Sequence, residues 1–178
     1  MDKNLLTARP QDMLTDANAQ EYIMHQFLMK HAFITLCVVR GISVDDEGIV
    51  TKVDVQPMVN GFSGNGDKIE RGIISDAPVW RLQRGNSAVI MSPVVGDIGI
   101  IAMCDRDISA VKSTKDLSLP GSNRVHSYAD ALYLGGVLNQ TPEQYVKFTN
   151  SEISIHSPNK VVVSAPARLF LYLLDAAS

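Results

Sequence analysis

The 178-residue chain has only two cysteines, Cys37 and Cys104, a single tryptophan, and 6% aromatic residues. Two thiols cannot build a disulfide framework, and a structural zinc site needs more ligands at closer spacing. Each cysteine sits inside an apolar run, so both read as small buried hydrophobes. The longest apolar runs, around Ile100 and Leu169, fall well short of the roughly 18 residues needed to cross a bilayer. The opening MDKNLLTARP lacks the apolar centre of a secretory signal, so synthesis in a cytoplasm without export by that route is expected. Cations are not in excess either: 16 Lys and Arg against 19 Asp and Glu give a net charge of -3. That balance argues against a nucleic-acid backbone as partner, which would require clustered Lys and Arg.

Chemical motifs are equally scarce. His25, His31, His126 and His156 stand apart, with no HExxH and no Cys pair at ligand spacing, so no metal and no cofactor are expected. Ser87, in RGNSAV, lacks the Gly-x-Ser-x-Gly elbow, and NGFSGNGD has neither a P-loop lysine nor a following helix. DDEG at 45–48 lacks the spacing of a calcium loop and reads as a hairpin turn. In Cys104-Asp105-Arg106-Asp107 the two carboxylates flank an arginine able to neutralise them, so a structural ion pair or turn is expected rather than acid–base work. No catalytic residue is assigned, and the chain is not expected to be an enzyme.

What the sequence does carry is alternation. Residues 1–30 read as an arm followed by an amphipathic helix, with Asp16 as N-cap and Ala19, Ile23 and Phe27 on one face. From His31 to residue 112 short β-type runs alternate with glycine turns: AFITLCVVRGISV, IVTKVDVQPMV, IERGIISDAPVWRLQ, SAVIMSPVV and GDIGIIAMCDRDI. Five short strands without an intervening helix predict a five-stranded OB-type barrel, with an SH3-like barrel as the nearest competitor. Residues 113–148 lose the pattern and read as a wrapping loop, with helical turns expected near Ser127 to Leu132 and after Thr141, where TPEQ resembles a helix start.

Residues 149–178 resume alternation. Ile153, Ile155, Val161, Val163, Ala165, Ala167, Leu169, Leu171 and Leu173 share one parity, opposite Ser154, His156, Lys160, Ser164 and Arg168. ISIHSPNK and VVVSAPAR align position by position as an eight-residue repeat, with Pro158 and Pro166 at equivalent bends. Burying a Val, Ile or Leu is worth roughly 1.5–3 kcal/mol, while ordering each residue costs roughly 1–2 kcal/mol, so a lone ribbon stays unfolded. The repeat therefore predicts a homotrimer in which three ribbons wind into a short intertwined triple-stranded β-helix, with the nine same-parity residues as the trimer interface.

The stretch SDAPVWRLQRGNSAVIMSPVVGDIGIIAMCDRDISAV, followed by GSNRVHSYADALYLGGV, resembles the OB-domain segment of bacteriophage baseplate central spike proteins. The matching residues are Asp76, Pro78 and Val79, then Gly96, Asp97 and Gly99, then Arg106, Asp107 and Ile108, and finally Arg124, His126, Asp130 and Ala131. The resemblance covers about residues 33–140 and implies a trimeric membrane-piercing needle of a contractile tail baseplate, a virion component assembled in the host cytoplasm. Its implied partners are hub and tail-tube proteins and, transiently, the host outer membrane; the irregular LFLYLL end reads as either a blunt tip or the docking surface of a separate tip subunit. The His-x-His iron site common at such apices has no counterpart in this sequence. Two other classes stand beside this reading: a single-strand nucleic-acid-binding OB module, with Trp80 and Phe62 for stacking, and a tail-associated cell-wall hydrolase.

Overall fold

Thr15 opens the first helix. In a computed structural model, which describes residues 15–63 and 67–164, helix α1 spans Asp16–Lys30, one residue earlier than a cap at Asp16 would start it. The cap is Thr15 and not Asp16: Thr15 has extended backbone and its hydroxyl accepts the Asn18 N–H at 3.2 Å, whereas Asp16 already lies within the first turn. Ile23 and Phe27 are exposed, and α1 contributes no buried residue. Two compact units follow from the contacts, one through Asn139 and one from Gln140 onward.

The first unit is built on a long hairpin. Strands β1 (Ile34–Val44) and β2 (Val50–Pro57) pair antiparallel, and Asp45 makes the turn: its side-chain oxygen accepts the N–H groups of Glu47 and Ile49, and Gly48 supplies the left-handed residue at φ 77°. DDEG is thus the hairpin turn expected. Two short pairs, β3 (Gly61–Phe62) with β4 (Lys68–Ile69) and β6 (Leu82–Arg84) with β7 (Ser87–Val89), flank β5 (Ile74–Pro78). Strand β8 (Ile98–Met103), the short helix α2 (Ser109–Thr114), a 3-10 turn (Tyr128–Asp130) and β9 (Ala131–Gly136) complete the unit.

These strands form a curled five-stranded antiparallel sheet in the order β5-β2-β1-β8-β9. Strand β1 serves both halves, pairing with β8 through Ile34–Val38 and with β2 from Cys37 onward, across a bulge between Val39 and Gly41 that helps it bend. The curl brings the outermost strands together: Val79, just past β5, forms a parallel bridge with Tyr133 of β9, and the Trp80 N–H donates to the Tyr133 carbonyl at 2.8 Å. Alternate residues point inward, and the core includes Cys37, Val39, Val53, Val55, Ala77, Ile101, Met103, Ala131 and Tyr133.

The strand inventory differs from the sequence reading in two places. SAVIMSPVV does not enter the sheet; its first three residues fold back on Leu82–Arg84 across Gly85, which takes φ 48° in a two-residue turn. The fifth sheet strand is instead β9, from the stretch read as a wrapping loop. Of the two helical turns expected there, the one at Tyr128–Asp130 forms, while residues after Thr141 lead into a strand.

Gly99 and Tyr133 explain how β9 docks. The Tyr133 ring lies across Gly99 of β8, so close that a β-carbon there would sit 2.5 Å from the hydroxyl oxygen and 2.6 Å from Cζ. Only glycine leaves room for the ring, and burial pushes the phenol up to about 12. Cys37 is fully buried, as expected, with its thiol pushed up to about 11 by burial; Cys104 is only half-buried.

The second unit contains a hairpin that the sequence reading did not contain. Strand β10 (Tyr145–Phe148) pairs antiparallel with β11 (Ile153–His156). Thr149 closes the turn: its N–H donates to the Glu152 carbonyl at 2.9 Å, and its hydroxyl accepts the Glu152 N–H at 3.1 Å. The first octad thus finds a pairing partner in its own chain. Among the described residues no helix is long and apolar enough to cross a membrane.

Candidate functional site

Two features stand out, a buried charge cluster in the first unit and a bare apolar face in the second. The cluster assembles residues far apart in sequence. Asp107 precedes α2, Asp130 ends the 3-10 turn, and both are buried. Arg124 lies between them: its Nη2 is 2.9 Å from Asp107 Oδ1, and its Nε donates to Asp130 Oδ2 at 3.1 Å. The remaining acceptor sites are filled by the Ser122 hydroxyl on Asp107 Oδ2 at 2.6 Å, the Ser109 N–H on Asp107 Oδ1 at 2.9 Å, and the Ile108 N–H on Asp130 Oδ1 at 3.1 Å.

This ion-paired cluster is the structural arrangement expected for the acidic stretch, but its cation is Arg124, not Arg106. Arg106 contributes a backbone bridge to Val125 instead. The hydrogen bonds from Ser109 and Ser122, and after them the charge of Arg124, hold the Asp107 carboxyl down at about 2. Every oxygen of both carboxylates is engaged, so the cluster ties the loop around residue 124 to α2 and to the start of β9. His126 extends the tie, its carbonyl accepting the Ala32 N–H at 3.0 Å just before β1, while its ring lies 4.7 Å from that of Phe33. The residues that carried the family resemblance are thus largely those that close the loop onto the sheet. Asp97 belongs with them: its carbonyl accepts the Val39 N–H and its side chain accepts the Val94 N–H, across a turn in which Gly96 takes φ 99°.

The second feature lies on the β10–β11 hairpin. Directly opposed residues share a face, and the pairs are Val146 with Ile155 and Phe148 with Ile153. These four side chains are 58%, 64%, 73% and 65% exposed respectively. The other face is amphipathic: Tyr145 stacks on His156 with ring centroids 5.3 Å apart, beside Lys147 and Ser154. A two-stranded ribbon is at best marginally stable alone, and this one leaves a wholly apolar face exposed.

The nine residues expected at a trimer interface fall into three groups. Ile153 and Ile155 share the apolar face, joined by Val146 and Phe148, which the sequence reading left in the loop. Val161 and Val163 are more than half exposed and lie outside any strand, as does Val162 between them. Ala165, Ala167, Leu169, Leu171 and Leu173 lie outside the described residues. Among the described residues no three His, Cys, Asp or Glu side chains stand close enough to hold a metal ion.

Comparison with known families gives one match: residues 41–136 fit the family model described as the phage protein Gp138 N-terminal domain. The match covers just over half of the chain and runs from Gly41 in β1 to Gly136, the last residue of β9. No curated protein matches the chain.

Proposed function

The chain belongs to the family of the phage protein Gp138 N-terminal domain, and from that premise we propose that it is the central spike of a contractile phage tail baseplate. The spike is a homotrimer whose sheets cluster around one axis and whose C-terminal ribbons wind into a short triple-stranded β-helix. It joins hub and tail-tube proteins at one end and a tip subunit at the other, resides in the virion, and is driven into the host envelope when the sheath contracts. Its work is mechanical, and it makes or breaks no bond.

The observation that carries this reading is the bare apolar face of the C-terminal hairpin, continued in parity by Val161 and Val163. The fold supports the same reading: a curled five-stranded sheet in the order β5-β2-β1-β8-β9, with a parallel contact from Val79 to Tyr133, accords with the OB-type barrel expected from the sequence. The hydrolase and single-strand-binding readings gain less support. Both buried carboxylates are committed to Arg124, and the charge balance supplies no cationic excess.

Sedimentation equilibrium of the full chain tests the assembly, with an expected mass three times that of the monomer. Val163→Asp brings three carboxylates to one axis and is expected to dissociate the trimer while the sheet of the first unit keeps its thermal transition. A wild-type chain that remains monomeric at micromolar concentration refutes the spike. Gold-labelled antibody against the chain is expected to mark the distal end of the tail, and labelling of the head would refute the assignment.

A further inference from the structure

The trimeric reading placed the interface on the ribbon from Ile153 onward. The geometry points to a wider seam: we infer that β10 belongs to it, with Val146 and Phe148 packing against the same face of two further copies of this chain. The inference rests on the proposed trimer and extends it to residues that parity counting in the tail could not reach.

Three observations support it. Cross-strand pairing fixes Val146 beside Ile155 and Phe148 beside Ile153, so whatever covers the two isoleucines also meets the valine and the phenylalanine. All four are more than half exposed, and Phe148 is the most exposed of them; together they form one apolar patch, the kind of surface that marks an interaction site.

The face also carries no charge. Lys147 lies on the opposite face near Tyr145, and Glu152 sits in the turn where its carboxylate accepts the Ser154 hydroxyl. Identical copies can therefore meet there without like-charge repulsion, which a partner selected by charge would not need. The occupant is a second and third copy of the hairpin, and the base of the needle is six-stranded where three single ribbons were expected.

The test uses the full chain and four substitutions beside Val163→Asp, read by sedimentation equilibrium. Phe148→Asp and Val146→Asp are expected to give monomers, as Val163→Asp does, whereas Lys147→Asp, on the opposite face, leaves the trimer intact. Phe148→Ala, which keeps the hairpin free of buried charge, is expected to weaken assembly by about 30-fold or more if the ring is a central anchor. Far-UV circular dichroism confirms that the sheet of the first unit is retained in each. If Phe148→Asp and Val146→Asp stay trimeric while Val163→Asp dissociates, the wider seam is wrong and the trimer stands. If the wild-type chain is itself monomeric, both fall.

Discussion

Replacing Gly99 with alanine tests the closure of the sheet directly. A β-carbon at this position would lie 2.5 Å from the Tyr133 hydroxyl oxygen and 2.6 Å from Cζ, against about 3.5–4.0 Å for an unstrained carbon contact. The ring would have to retreat by roughly 1 Å. It cannot do so freely, because Tyr133 is buried, pairs with Ile101 in β8 and holds the bridge to Val79. Overpacking of this kind costs about 1–3 kcal/mol, partly offset by the roughly 0.4–1 kcal/mol gained when alanine narrows the unfolded ensemble. A net loss of about 1–2 kcal/mol is expected, seen as a fall in Tm of roughly 3–8 °C. Thermal unfolding followed by circular dichroism at fixed protein concentration would measure it. Smaller side chains at the partner position should relieve the clash, so the penalty of Gly99→Ala is expected to shrink by about 1 kcal/mol in a Tyr133→Leu background. A Gly99→Ala variant as stable as wild type, or additivity in the double variant, would refute the close-approach argument.

Acid should weaken the charge cluster in a defined window. The folded Asp107 carboxyl is held at about 2, below its unfolded value near 4, so its contribution is fully present above about 4 and is lost as pH falls from there through about 2. Urea unfolding at a series of pH values would show this slope, and Asp107→Asn should flatten it; an unchanged slope would exclude the carboxyl as its source. The Cys37 thiol, buried and pushed up to about 11, should resist thiol reagents at pH 8 until the sheet is unfolded, while half-buried Cys104 reacts first. Mass mapping of the labelled peptides would check the order, and rapid labelling of Cys37 in the folded chain would contradict its burial.

Much of the sheet could be read from local pattern. Helix α1, the DDEG hairpin and β8 each have a periodicity and turn chemistry contained within the element itself. What escaped depended on distant partners. In ADALYLGGV the alternation spans only a few residues before two glycines, and nothing local says that Tyr133 will find Gly99 and Val79. SAVIMSPVV had the composition of a core strand, yet the two-residue turn at Gly85 committed its beginning to a peripheral hairpin.

TPEQ carried a helix-start signal that lost to the pairing of Tyr145–Phe148 with Ile153–His156, whose alternations match across the Thr149 turn. The charge cluster failed for a similar reason: Arg106 is the neighbour of Asp107 in sequence, but Arg124, 17 positions on, is its neighbour in space. The apolar parity of the tail was legible; that β10 shares its first face was not, because antiparallel pairing joins even positions to odd ones.

The way the sheet closes also sets an order of events during synthesis. The β1–β2 hairpin joins residues separated by a short turn, so it can form early, whereas β8 pairs with β1 from some sixty positions away and β9 arrives later still. Until Ala131–Gly136 leave the ribosome, the outer edge of β8 presents unpaired N–H and C=O groups next to an apolar core that lacks Tyr133. The nascent chain is therefore most exposed to wrong pairing with its neighbours just before β9 arrives. Closure by Tyr133 ends that window, and it does so before the hairpin of the second unit has been made.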